Sequence, residues 1–189
     1  QGATVTLYAK WSPGEKNPVN DNFADAIPLS GAYGEVIGSN VNATRESGEA
    51  SAVGLSSATN TVWWTWTAPS NGKVRFIADS SSFFPEVAVF TGNTLPSLAL
   101  VASSGDRWWV EGERWSASFQ AIAGTTYRIQ VQGAGGTSGL IRLHWRPEPS
   151  LVAELDANGG MLVDAAWKPV KKGGAVGVLP VPTRTGYVF

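Results

Sequence analysis

The chain has 189 residues, with 14 basic and 15 acidic side chains, 22 glycines, 11 prolines and no cysteine. Balanced charge gives no electrostatic reason for nucleic acid or an anionic membrane as main partner. No apolar run approaches the ~20 residues that span a bilayer. The missing thiols exclude disulfides, thiolate chemistry and cysteine-ligated zinc, though they leave the compartment open. Many turn formers and few charges predict an all-β chain.

Residues Gly2 to Trp11 alternate like a strand, with Val5, Leu7 and Ala9 on one face. Gln1 falls inside that pattern, so the sequence reads as a length of something longer. Ser12 to Pro18 is a linker by composition. A short helical piece is expected at Asn20–Ala26, with Asp21 or Asn22 as N-cap, then a weak strand at Gly34–Val41. Residues 42–60 are small and polar and form a long loop, a feature usually functional or disordered.

The segment Thr61-Val62-Trp63-Trp64-Thr65-Trp66-Thr67 is the strand around which the others are arranged. Branched and aromatic side chains suit a pleated, half-buried surface. Alternation sends Val62, Trp64 and Trp66 to the core and leaves Trp63 on the other face with the threonines. Pro69 and Ser70-Asn71-Gly72 turn the chain into Lys73–Ala78, with Val74, Phe76 and Ala78 inward. Further strands are expected at Glu86–Thr91, Leu98–Ala102, Arg114–Phe119 (Trp115, Ala117, Phe119 inward), Thr126–Val131 (Tyr127, Ile129, Val131) and Ile141–Trp145. Around eight short, turn-bounded strands predict an antiparallel β-sandwich, jelly-roll-like. Pro147–Ser150 reads as a second linker, and Leu151–Asp156 as one more strand ending in the turn Ala157–Gly160.

Several of these blocks resemble the bacterial pre-peptidase C-terminal domain family. They are Asn20-Asp21-Asn22-Phe23-Ala24-Asp25-Ala26, the tryptophan strand through Pro69, Val87–Gly92, Ala123–Val131 and Gly139–Leu143. The resemblance covers about two-thirds of the chain and implies a secreted, non-catalytic β-sandwich. Some members bind insoluble polymers such as collagen, and some bind calcium. Where many members carry an acidic Asn-Asp-Asp turn, this chain has Ser103-Ser104-Gly105-Asp106. The ends are similar to parts of the Listeria-Bacteroides surface-protein repeat, a β-grasp-like module. Thr4–Trp11 matches the end of one copy; Leu155–Gly160, Leu179-Pro180 and Pro182–Tyr187 match the start of another. The implied organisation is a repeat end (1–11), linker (12–19), sandwich (20–146), linker (147–150) and truncated repeat (151–189).

Catalysis finds little support in the residues. His144 is the single histidine, on the polar face of its strand, and no Gly-x-Ser-x-Gly elbow is present. Glu46 with Glu49, and Glu111 with Glu113, lie in polar loops and read as surface charges rather than a hydrolase pair. A calcium ion would draw on Asp21, Asp25, Glu46, Glu49 and Asp106, since hard cations take carboxylate oxygens from loops. The binding candidates are Arg107, Trp108 and Trp109, because paired tryptophans in a loop require cover from a ligand, a partner or the fold itself. Trp63 shares that ambiguity. The expectation is an adhesive module of an exported bacterial protein, binding polysaccharide or extracellular protein. A structural spacer docked to neighbouring repeats, and an accessory secretion or targeting domain of an extracellular enzyme, stand as alternatives.

Overall fold

The computed structural model describes residues 16–49, 59–80, 82–104 and 115–148, the backbone of 151–154 and 167–170, and residues 183 and 185. A short 3-10 turn at Phe23–Asp25, preceded by Asn22 as N-cap, opens the sandwich. The strands are β1 (Ile27–Leu29), β2 (Gly34–Ser39), β3 (Thr61–Thr67), β4 (Gly72–Asp79), β5 (Pro85–Thr91), β6 (Ala99–Ser103), β7 (Ser116–Ala121), β8 (Thr126–Gly133) and β9 (Leu140–Glu148). A separate antiparallel pair, β10 (Leu151–Glu154) and β11 (Trp167–Val170), comes last.

Two sheets carry the sandwich, in the orders β1-β3-β8-β5-β6 and β2-β9-β4-β7. Apart from β1, these are the interleaved orders of an eight-stranded jelly roll, so the expected fold class holds. β1 was not legible from sequence. It runs parallel to β3, pairing Ile27–Leu29 with Trp64–Trp66, whereas the other described pairs are antiparallel.

The inner faces meet in one apolar core. Val62, Trp64 and Trp66 of β3 are at most 2% exposed, and they pack with Val74, Phe76, Ile129, Val131, Ile141, Leu143 and Trp145. Phe76 stacks parallel between Phe119 and Trp145, with centroids 6.2 and 6.1 Å away. Gly34 and Gly38 explain why β2 looked weak. A Cβ on Gly34 would sit 2.5 Å from the Trp145 ring, and one on Gly38 2.8 Å from Trp64. The strand forgoes side chains so that two core tryptophans can lie against its backbone.

Two expectations need correction. Trp115 does not point into the core. Strand β7 begins one residue later, and Trp115 takes a left-handed backbone (φ 62°). The linker expected at 147–150 begins later too, because β9 continues through Pro147 and Glu148, opposite Val74 and Lys73.

Candidate binding site

Jelly-roll topology sorts the connections by end. The tight turns β3–β4, β5–β6 and β7–β8 share one end of the sandwich. The β2–β3, β4–β5, β6–β7 and β8–β9 connections share the other, and these include the two longest, 40–60 and 104–115. Binding residues concentrate on loops held by a rigid scaffold, which makes this end the candidate surface for a partner.

Amide side chains tie this end together. Asn60 Nδ2 donates to the Gly136 and Thr137 carbonyls at 3.0 and 2.8 Å, while Asn40 donates to Thr137 and accepts from the Gly139 amide. Ser104 Oγ accepts the Val87 amide at 3.0 Å and anchors the start of the 104–115 connection. Its far anchor is Trp115, whose ring lies parallel to that of Phe84 with centroids 5.2 Å apart. Phe84 is 61% exposed. A bulky residue held at positive φ is an outlier, and such strain gathers at ligand-contacting sites. Sequence reasoning missed this pair because Phe84 precedes a strand and Trp115 looked like a core position.

Arg107, Trp108, Trp109 and Asp106 belong to the connection anchored at Ser104 and Trp115, and they lie outside the described residues. Trp63 is corrected as a ligand contact. It faces outward from the sandwich core, as alternation requires, yet it is fully buried. Phe23 meets its ring edge-on at 5.3 Å and Phe90 lies tilted at 6.1 Å, making a second small core on the outside of the five-stranded sheet. Asn20 brackets the Trp63 backbone with two 2.9 Å hydrogen bonds, and Arg128 covers the Phe23 ring at 4.8 Å.

The four described carboxylates of the calcium candidate divide sharply. Asp21 is buried and accepts hydrogen bonds from Asn17 and from the Thr44 amide and hydroxyl. Glu46 accepts the Phe23 amide. Asp25 is exposed and takes Asn22 Nδ2 at 3.0 Å. Glu49, expected on the surface, is 6% exposed. Its oxygens accept from Thr61 Oγ1, Trp63 Nε1, Gln130 Nε2 and the Glu46 amide. Burial among these neutral donors pushes the Glu49 carboxyl above the ordinary glutamate range. Asp21 and Glu46 thus tie segment 43–49 to 17–23, and Glu49 closes it over Trp63. Among the described residues no group of three metal-capable side chains converges.

His144 is partly covered on the outer face of the four-stranded sheet, with Nε2 3.2 Å from Asp79. Around it Arg142 pairs with Glu35 at 2.7 Å, and Arg75 and Lys73 meet Glu148. That face offers paired charges rather than a nucleophile and base. A cleft of about 60 Å³ beside Trp66, Pro69 and Pro147, at the tight-turn end, is well below the 300–1,000 Å³ usual for small-molecule sites. No described helix is long and apolar enough to cross a membrane.

The sequence matches no family model, and no curated protein matches it. Among solved structures it is similar to PliG of Aeromonas hydrophila, a periplasmic inhibitor of g-type lysozyme. The identity is 16% and the TM-score 0.42, over 64% of this chain and 94% of that one.

Proposed function

We propose that this chain is a non-catalytic binding module of a large exported bacterial protein, acting outside the cell or on its surface. It holds a polysaccharide or protein partner at the long-loop end of its sandwich. The observation that carries this is the exposed Phe84 ring stacked on the strained Trp115, at the anchor of the connection containing Arg107, Trp108 and Trp109. Aromatic faces at a loop cluster favour sugar rings or apolar side chains. The reading of a pre-peptidase C-terminal-type sandwich between surface-protein repeats belongs to the same proposal. The jelly-roll strand order and the separate β10/β11 pair support it. Calcium enters only as an auxiliary of this end, with Asp106 as its sequence candidate.

The test is a pull-down with insoluble polysaccharides and collagen, with and without calcium. It compares wild type with Phe84→Ala and with Trp108→Ala/Trp109→Ala. Retention of the wild type, lost in both variants while circular dichroism is unchanged, is the expected result. If the wild type is retained by none of the matrices, the spacer reading takes over. The mutually paired charges on the four-stranded face favour that second reading, since such a wall gains little from a partner.

A further inference from the structure

The outer face of the five-stranded sheet holds an arrangement that the binding reading leaves unused. Thr61 and Gln130 lie on adjacent antiparallel strands: Thr61 is opposite Gln132 and Trp63 is opposite Gln130. Their side chains share that face two residues out of register, close enough to meet a common group. That group is Glu49. Its Oε2 accepts from the Thr61 hydroxyl at 2.7 Å and from Gln130 Nε2 at 3.3 Å, and its Oε1 lies 2.9 Å from the same hydroxyl. Thr61 and Gln130 are each 1% exposed and Glu49 is 6% exposed, so the three form a dry polar triad.

Two features are costly if the triad is only a set of hydrogen bonds. Gln130 Oε1 is buried with no hydrogen-bond partner, and the Glu49 carboxyl is pushed up by burial. One arrangement gives Gln130 Oε1 a donor and the raised carboxyl a proton to share, at the cost of turning Nε2 into the position that lacks a partner. Amide oxygen and nitrogen are exchanged by a half-turn of the carboxamide. A protonated Glu49 then donates to Gln130 Oε1 and polarises its carbonyl. An activated primary amide, a hydroxyl and a proton-transferring acid are thereby held together away from water.

We propose that Thr61, Glu49 and Gln130 form a self-modification site that joins β3 to β8 by an intramolecular ester. Thr61 Oγ1 attacks Gln130 Cδ while one Glu49 oxygen takes the hydroxyl proton and the other gives its proton to the amide. In the tetrahedral intermediate Glu49 repeats the exchange, taking the proton from Gln130 Oε1 with one oxygen and giving one to Nε2 with the other, so that the Cδ–Nε2 bond breaks and ammonia leaves. The Oγ1–Cδ bond remains, and Glu49 ends as a carboxylic acid as it began. No oxidant, metal or second substrate is required. Exclusion of water protects the ester from hydrolysis.

The experiment is intact-mass and peptide-level mass spectrometry on the folded chain. The expected result is an intact mass lower by one ammonia, with tryptic peptides 46–73 and 129–142 covalently joined. Hydroxylamine separates them. Thr61→Val and Glu49→Gln give unjoined peptides, while Thr61→Ser, which keeps a hydroxyl, restores the link. Wild-type peptides found separate overturn the proposal whatever the variants do. So does an ammonia loss confined to the N-terminal peptide, where Gln1 can cyclise with the same mass change. A link that persists in Thr61→Val also overturns it.

Discussion

The β-sandwich has two cores on opposite sides of strand β3, and they are built on different terms. Between the sheets, Val62, Trp64 and Trp66 pack among apolar side chains, with Trp66 Nε1 donating to the Gly31 carbonyl at 2.8 Å. On the outside of the same strand, Trp63 is just as buried, but beside Phe23, Phe90 and Glu49, on a face that also buries Thr61, Gln130 and the hydrogen-bonded Gln132 and Glu86. The inner core exists because two sheets each need cover for an apolar face. The outer one exists because segments 17–26 and 40–49 lie across the sheet and are tied down by side-chain hydrogen bonds. Its stability therefore rests on directed bonds, which fail when one partner is removed, as well as on contact area.

That contrast predicts a ranking. Trp64→Ala or Phe76→Ala in the inner core should cost about 3–5 kcal/mol in chemical denaturation, through lost burial and a residual cavity. Gly38→Val, which drives a branched side chain against Trp64, should cost about 1–3 kcal/mol by overpacking. In the outer core, Glu49→Ala should cost about 1–3 kcal/mol, because it strands the Thr61, Trp63 and Gln130 donors. A Glu49→Ala loss equal to that of Trp64→Ala would erase the distinction between the two cores.

A pH titration sharpens it. The raised Glu49 carboxyl means that the folded chain binds this proton more tightly than the unfolded one. Its contribution is full below the ordinary glutamate value and is lost as pH rises through the higher folded value. Stability followed across that window by urea unfolding should fall with pH in the wild type and lose that component in Glu49→Gln. The smallest effect belongs to the charged outer face of the four-stranded sheet. Removing the half-exposed Arg142–Glu35 pair by Glu35→Ala should change stability by about 0–1 kcal/mol and weaken with salt.

Alternation is a local rule, and where it alone decides, the sequence was sufficient. The inward sets of β3, β4, β8 and β9 are all buried in the structure. The Asn20–Ala26 piece was legible for the same reason, since Asn22 and Phe23–Asp25 carry their own turn chemistry. β1 was not, because three residues with a central proline make a strand only beside the waiting edge of β3. Of the binding candidates, Trp63 was misjudged through its cover, which comes from residues 14 or more positions away. Phe84 and Trp115 were passed over because a stack across two connections has no sequence period.

By itself, then, the sequence determined a cysteine-free, all-β chain, the faces of its main strands and a core rich in tryptophan. Those properties come from composition and a two-residue repeat. Only the tertiary structure decided that the long connections gather at one end, that Trp63 is covered, and that Glu49 lies between Thr61 and Gln130. Each depends on which strands become neighbours, and that is settled by the closure of two sheets on one core rather than by any local stretch of the chain.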